Sequence, residues 1–189
     1  MAQDREKAGG EGRRKLIDTA RQLFTLRGVA HVGINEVTAE AGVARMTLYN
    51  NFPSKEALTE AVYREMAEKA LARLDEVIAS ETTEEKRISG LFSHFGRNAG
   101  SPSYRGCSFI HASLQEADPK GKLQAIVQTY KKALRQRIFA MLDGKRRNRA
   151  LLADQITILL DGAVTEAYIK GVDDPLAAAR QAAITLARV

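Results

Sequence analysis

Apolar residues recur at helical spacing along almost the whole chain. In the first periodic segment Leu16, Ala20, Leu23 and Phe24 follow at i, i+4, i+7 and i+8, and Gly28 closes the segment. This spacing places the apolar side chains on one face of an α-helix, whereas a strand would need strict alternation. The four prolines, at 53, 102, 119 and 175, fall between the periodic segments. The pattern therefore predicts an all-α protein.

Two short segments with few apolar residues follow the first helix. They are predicted as helices over Ile34–Ala41 and Arg45–Phe52, joined by the turn Ala41–Ala44. Because helices shorter than about 12 residues are not stable alone in water, both must pack on the first helix. Gly42 lies where the turn requires a left-handed backbone that other residues resist. A three-helix unit is therefore expected near the N-terminus.

A long fourth helix is predicted to connect this unit to the rest of the chain. Ser54 can cap it, and its apolar positions run from Leu58 to Ile78. The polar residues 1–10 end in two glycines and are predicted to be a disordered tail. Further helices are predicted around residues 84–98, 107–117, 120–142, 149–170 and 175–188.

The composition adds broad limits to this outline. With 44% hydrophobic and 28% charged residues, the chain has the balance of a soluble globular protein. It lacks a stretch of roughly 20 apolar residues and the apolar core of a signal peptide, so a cytoplasmic location is expected. The formal charge of +6 is compatible with an anionic partner, but charge alone does not identify one.

The two short helices match the geometry that lays a second helix in the DNA major groove. The positions of that second helix expected to be exposed are Arg45, Met46, Thr47, Tyr49 and Asn50. Arg and Asn can read base edges, while Thr, Tyr and basic residues can hold phosphates. The same geometry also occurs in helical bundles that bind no DNA, so spacing alone leaves both interpretations open.

The window of residues 33–58, GINEVTAEAGVARMTLYNNFPSKEAL, resembles the signature of the TetR family of regulators. The resemblance lies in its AGV turn, its T-L-Y segment and its F-P-S-K-E-x-L restart. It implies that Leu48 and Phe52 form a buried scaffold and that Tyr49 and Lys55 contact mainly phosphates. The predicted DNA-binding residues are Arg13, Arg14, Thr38, Arg45, Met46, Thr47, Tyr49, Asn50 and Lys55.

Three positions depart from the common family pattern. Gly33 stands where a Ser or Thr cap is usual, Ala44 stands where a Ser is usual, and Asn50 stands where His is frequent. A lost helix cap costs on the order of 1 kcal/mol, which the fold can tolerate. The predicted domains are a DNA-binding domain over residues 11–56 and a domain for ligand binding and dimerisation over residues 57–189.

The resemblance also implies a homodimer, because the last two long helices of TetR-like proteins usually form a four-helix bundle with the same pair from a second subunit. In this chain the two helices are those predicted over residues 149–170 and 175–188. The alternative is that their apolar stripes pack only within one chain. The stripes consist of Leu152, Ile156, Leu159, Leu160, Ala163 and Ala167, and of Leu176, Ala179, Ala183, Leu186 and Ala187.

A pocket for a small-molecule effector of unknown identity is expected among the middle helices, and no cofactor is predicted. His94 and His111 have no second histidine at i+3 or i+4, so no metal site is predicted. Cys107 is either a redox sensor or a small buried apolar side chain, and the second interpretation is favoured. The candidate pocket residues are Phe92, Phe95, Cys107, Ile110, His111, Leu114 and Tyr130.

The function favoured by these patterns is a ligand-responsive transcriptional regulator, more readily a repressor than an activator, that binds a palindromic operator as a homodimer. Its effector would change the separation of the two recognition helices from about 34 Å, one turn of B-DNA. A small helical enzyme is disfavoured because the sequence offers no catalytic residues at recognisable spacing. A helical interaction module that has lost DNA binding is the third possibility.

Overall fold

Helices make up all the regular structure in the computed structural model, which describes the backbone of residues 2–189 and the side chains of residues 10–189. The all-α prediction is confirmed. None of the described helices has the length and hydropathy of a membrane-spanning segment. The elements are α1 (Ala2–Arg27), a 3₁₀ turn (Val29–His31), α2 (Ile34–Glu40), α3 (Arg45–Asn51), α4 (Lys55–Ala79), α5 (Glu84–Gly96), α6 (Ser108–Gln115), α7 (Lys122–Met141), α8 (Arg149–Lys170) and α9 (Asp174–Ala187).

The start of α1 differs from the sequence-based expectation. The helix begins at Ala2, so helical backbone covers nearly all of the stretch predicted to be a disordered tail. Extending an existing helix needs no new nucleation, which is why a polar segment beside a well-packed helix can continue it. Residue 1 lies outside the described residues.

The start of α4 agrees with the predicted cap. The backbone N–H of Ala57 donates to Ser54 Oγ at 3.2 Å, which satisfies one of the free donors at the helix start. By contrast, Gly33 and Ala44 precede α2 and α3 without a side-chain cap. The two short helices therefore depend more strongly on packing.

The chain divides into two compact units. The first extends to Ala67 and also includes Ser108–Gln128, while the second comprises Glu68–Cys107 and Thr129–Val189. The predicted boundary between residues 56 and 57 thus falls inside the first unit. The difference arises because α6 and the first turns of α7 pack with the N-terminal helices, an arrangement that local sequence patterns do not reveal.

In the first unit, α2 and α3 pack on α1. Leu16 and Ala20 of α1 are fully buried, as is Leu48 of α3, and Phe52 is 4% exposed. An ion pair between Arg27 and Glu36 also connects the end of α1 to α2. These contacts supply the tertiary support that two seven-residue helices need.

In the second unit, α8 packs chiefly on α9, and α9 also packs on α5. Ion pairs connect α7 to α8 through Lys131 and Asp161, and α7 to α4 through Arg137 and Asp75. The Arg137 guanidinium donates both to Asp75 Oδ1 at 2.7 Å and to Asp75 Oδ2 at 2.9 Å.

The residues expected to line the dimer contact are mostly buried inside the second unit, which corrects their predicted role. The packing of α8 with α9 and α5 already covers these side chains, so the alternative of packing within one chain holds for them. The buried positions are Leu152, Ile156, Leu160, Ala163 and Ala167 on α8, and Leu176, Ala179 and Ala183 on α9. Leu159, Leu186 and Ala187 are half-buried.

Gly12 of α1 lies against Thr47 of α3. A β-carbon at Gly12 would lie only 2.8 Å from Thr47 Cγ2, whereas one at Gly10 would meet no atom of the described residues within 4 Å. At a separation below 3.0 Å either the Thr47 side chain or the backbone must shift. The absence of a side chain at Gly12 therefore leaves room for the methyl group of Thr47.

We predict opposite effects for two glycine substitutions in the same helix. Gly10→Ala should stabilise the protein by up to about 1 kcal/mol, because alanine is the better helix former. Gly12→Ala should destabilise it by about 1–3 kcal/mol, since the clash with Thr47 outweighs that gain. Chemical denaturation followed by circular dichroism measures both. Thr47→Ser removes Cγ2 and should restore most of the stability of Gly12→Ala; equal effects of the two alanines would contradict the clash.

Candidate nucleic-acid interface

The turn between α2 and α3 is built around a left-handed glycine. Gly42 has φ of +62°, as the sequence predicted, and L side chains rarely adopt this conformation. The N–H groups of Gly42 and Val43 donate to the carbonyls of Ala39 and Thr38, each at 3.1 Å. These bonds fix the direction in which α3 leaves the turn.

Helix α3 has one buried face and one exposed face. Leu48 is fully buried and Phe52 is 4% exposed, which places both in the scaffold implied by the resemblance. On the opposite face Met46 is 68% and Tyr49 42% exposed. Arg45 and Asn50 are exposed as well. A helix held from one side in this way can present its other side to a DNA groove.

Arg45 and Tyr49 form a pair on the exposed face. The Arg45 guanidinium donates to Tyr49 Oη at 3.4 Å, and its carbon lies 5.7 Å from the centre of the Tyr49 ring. Residues four apart on a helix are neighbours, and an exposed cation–π contact contributes about 0.5–1 kcal/mol. The pair limits the conformations of two side chains that carry complementary chemistry for phosphates and base edges.

Basic residues flank this face from α1 and α4. The Arg13 guanidinium lies 5.3 Å from the centre of the Phe52 ring, so Arg13 is held over the end of α3 while remaining exposed. Lys55 is the first residue of α4 and is half-buried. The structure thus brings Arg13 of α1 onto α3, although the two are more than thirty positions apart in the sequence.

Arg14 differs from its neighbour because it already binds protein carboxylates. Its guanidinium donates to Asp18 at 2.8 and 3.1 Å and to Glu65 at 2.9 Å. The hydrogen bond to Asp18, followed by the charge of Glu65, raises the pKa of Arg14. In this arrangement Arg14 joins α1 to α4, and a phosphate would have to compete with two carboxylates for it.

Thr38 is the predicted contact residue that the structure contradicts most directly. Its side chain is 6% exposed, and its hydroxyl donates to the Asn35 carbonyl at 3.0 Å. The position lies beside Val37 on the buried face of α2, where a threonine hydroxyl bonds back to its own helix. Thr47 is half-buried because its methyl group lies against Gly12.

Two features of the interface were absent from the sequence-based set. Asn51 Nδ2 donates to the Thr47 carbonyl at 2.8 Å and so reinforces the last turn of α3. Gly12 provides the close contact with Thr47. Gly12 precedes Leu16 by four residues and therefore lies on the same helical face, a spacing that could have identified it as a packing position.

The candidate effector residues are divided between the two units. Phe92 and Tyr130 are buried in the second unit, where Phe95 and Cys107 are half-buried. Burial is the main cause that raises the pKa of Tyr130, and electrostatic interactions with Cys107 and Asp161 raise it further. Ile110, His111 and Leu114 belong to the first unit. Leu114 is 80% exposed, so its side chain does not line an enclosed pocket.

The second unit contains a small cavity next to Phe92. It has a volume of about 180 Å³ and is also lined by Gly96, Leu176 and Arg180. Pockets for drug-sized ligands usually have about 300–1,000 Å³, so this cavity is too small for such a molecule. Within the described residues, no group of three or more His, Cys, Asp and Glu side chains is placed to hold a metal.

Sequence comparison with known proteins covers mainly the first unit. The profile described as "Bacterial regulatory proteins, tetR family" matches residues 16–62. An uncharacterised HTH-type transcriptional regulator of Mycobacterium tuberculosis is 48% identical over 52 residues, which is 27% of this chain and 26% of that protein. The HTH-type transcriptional repressor KstR2 of Mycolicibacterium smegmatis is 27% identical over 92 residues, 49% of this chain and 45% of KstR2. The chain thus matches less than half the length of either relative.

Comparison with solved structures covers nearly the whole fold. SCO4454, a TetR-family transcriptional regulator from Streptomyces coelicolor, superposes with a TM-score of 0.84 at 23% identity, covering 93% of this chain and 95% of that one. The reduced form of Escherichia coli NemR superposes with a TM-score of 0.81 at 23% identity, covering 91% of this chain and 95% of NemR. At this identity the likeness establishes the fold, while the profile match establishes the helix-turn-helix segment. Residues 16–62 therefore match the TetR family of bacterial regulatory proteins, and the described chain shares the fold of the TetR-family structure SCO4454.

Proposed function

We propose that this protein is a transcriptional repressor that binds palindromic operator DNA as a homodimer and responds to a small-molecule effector. The observation that carries the proposal is the exposed Arg45–Tyr49 face of α3, mounted on the buried Leu48 and Phe52. The matched relatives bear the names of transcriptional regulators and repressors, which favours regulation over catalysis. The net charge of +6 suits an anionic partner.

The proposed contacts divide into two classes. Arg45 and Asn50 have the hydrogen-bonding groups to read base edges, while Tyr49, Arg13 and Lys55 are suited to phosphates. Thr47 is half-buried with its methyl group against Gly12, so only the rest of its side chain can contact DNA. One recognition helix reads too few bases for specificity, so a second copy of α3 is needed.

The exposed face of α8 supports the proposed dimer. Leu151, Ile158, Gly162 and Ile169 lie at i, i+7, i+11 and i+18, within about 20° of one line along the helix. Leu151 is 58%, Ile158 71% and Ile169 68% exposed, and no described atom lies within 4 Å of a β-carbon built at Gly162. This face is opposite the buried stripe of α8. An apolar line with a glycine at its centre allows close packing against a second helix.

We predict that Arg45→Ala and Tyr49→Ala each weaken operator binding by about tenfold or more, because each removes a contact to a base or phosphate. The operator is obtained by selection from random duplexes, and affinity is measured by fluorescence anisotropy at several salt concentrations. The logarithm of the affinity should fall steeply with the logarithm of salt concentration, since phosphate contacts release counterions.

The matched control for this experiment is Arg147→Ala, which removes an exposed arginine between α7 and α8. It should change the affinity by less than about twofold because this position lies outside the proposed contacts. Selection of no discrete palindrome, or equal losses in Arg45→Ala and Arg147→Ala, would contradict the proposed interface.

We also predict that Ile158→Glu converts the dimer to a monomer, because it places a charge in the centre of the apolar line on α8. Sedimentation velocity at micromolar protein concentration measures the change, and circular dichroism checks that the helices remain. Leu114→Glu changes an equally exposed apolar residue away from α8 and should leave the dimer intact. A wild-type protein that sediments as a monomer would refute the dimer itself.

A further inference from the structure

A groove of about 600 Å³ opens in the first unit, and every residue that lines it belongs to that unit. Its walls come from the 3₁₀ turn, the first turns of α4, the end of α6 and the start of α7. The apolar part of its lining includes Val29, Ala112 and Leu123. The volume lies in the range of pockets that hold drug-sized molecules. We call it the acidic groove, after the charges that line it.

Carboxylates dominate the charged lining of the acidic groove. Glu56, Glu60, Glu116 and Asp118 face only two amines, those of Lys55 and Lys122, which leaves a net charge of −2 in a chain whose net charge is +6. A concave surface lined by one sign of charge concentrates counter-ions of the opposite sign. The groove therefore has the opposite electrostatic preference to the protein as a whole.

The lysines leave most of this negative charge uncompensated. Lys122 Nζ lies 3.4 Å from Glu60, and the Arg64 guanidinium lies 3.9 Å from the same carboxylate. Both cations are exposed, so these pairs are weak. Among the described residues Glu116 and Asp118 have no ion pair within 4 Å, while Glu56 interacts with the charge of its neighbour Lys55. A hydrogen bond with Ser54 is the main cause that lowers the pKa of Glu56.

Two of the carboxylates are held by the backbone of the segment between α6 and α7. Glu116 Oε1 accepts from the N–H of Asp118 at 3.2 Å, and Asp118 Oδ1 accepts from the N–H of Lys120 at 2.9 Å. Each carboxylate has a second oxygen with further lone pairs, which leaves it able to face a cation in the groove. An amide in place of either carboxylate removes the charge but keeps one oxygen that can accept the same backbone bond.

We propose that the acidic groove is a binding site for an organic cation with an apolar body. The apolar lining would cover the body of the molecule, while the carboxylates stabilise its positive charge. The groove is also coupled to the DNA-binding helices, because it is lined by Val29, between α1 and α2, and by Lys55. Occupancy is therefore expected to alter operator affinity, a regulatory consequence that rests on the proposed function.

The end of α6 provides a physical basis for this coupling. The side-chain amide of Gln115 packs against the backbone of Gly28, where a β-carbon would lie 2.6 Å from Gln115 Nε2. Gly28 ends α1 with φ of +82° and begins the link to α2. A molecule that displaces Gln115 would act on this link directly.

Two ions of the same shape and opposite charge test the site. Tetraphenylphosphonium and tetraphenylborate are titrated into the full chain by isothermal titration calorimetry. The acidic groove should bind one phosphonium per chain, at least about tenfold more tightly than the borate. A general attraction by the basic protein would give the reverse order, so a preference for borate would overturn the proposal.

Variants locate the binding. Glu116→Gln combined with Asp118→Asn should weaken phosphonium binding by about tenfold while retaining the backbone hydrogen bonds. Ala30→Trp leaves every charge in place but fills the groove from its exposed rim, and should abolish binding. Glu76→Gln, which neutralises an exposed carboxylate of α4 outside the groove, should have no effect. Equal effects of Glu76→Gln and the double variant would place the cation elsewhere and overturn the proposal.

Operator affinity is measured with and without saturating phosphonium. This measurement tests the regulatory effect separately from cation binding to the groove. Binding to the groove with unchanged operator affinity would refute the regulatory coupling and retain the site. Failure of the protein to select any operator would refute the proposed function, while calorimetry still decides the site. Absence of phosphonium binding, together with weaker self-association of the double variant, would instead make the groove an interface between copies and overturn the proposal.

Discussion

The packing of α3 on α1 is the interaction on which the rest of this structure depends. A seven-residue helix without a side-chain cap has no stability of its own in water. Leu48 and Phe52 supply buried apolar surface, and Gly12 allows α1 to approach Thr47 closely. Because Leu48 and Phe52 hold one face of α3 against the scaffold, the opposite face with Met46 and Tyr49 is exposed.

The arginine side chains around α3 are held in place by specific neighbours. Arg13 lies over Phe52, and Arg45 lies over Tyr49, so two flexible cations are each restrained by an aromatic ring. Arg14 is instead engaged by Asp18 and Glu65. Adjacent arginines on α1 thus have different environments, one facing the end of α3 and the other joining α1 to α4.

Two surfaces of the first unit carry predominantly opposite charges. Arg13, Arg45 and Lys55 accompany the exposed face of α3, whereas Glu56, Glu116 and Asp118 line the acidic groove. Lys55 belongs to both sets, since it begins α4 and also lines the groove. A single small unit can in this way carry surfaces for an anionic polymer and for a small cation.

Local patterns were sufficient to predict the helical elements and the left-handed turn. Apolar spacing located every α-helix after α1 to within about two residues at most boundaries, and Gly42 and Ser54 behave as their positions predicted. These features depend on interactions within a few residues, which is why one sequence can reveal them. The same reasoning identified Leu48 and Phe52 as scaffold.

Only the tertiary structure decided which of several similar positions face outward. The apolar stripe of α8 that was predicted to form the dimer is buried within the chain, and the exposed line through Ile158 lies on the opposite face. Thr38 is buried, Arg14 is paired, and α6 packs with the N-terminal helices. Helical periodicity shows that a face is apolar, but the partner of that face is set by contacts between residues distant in sequence.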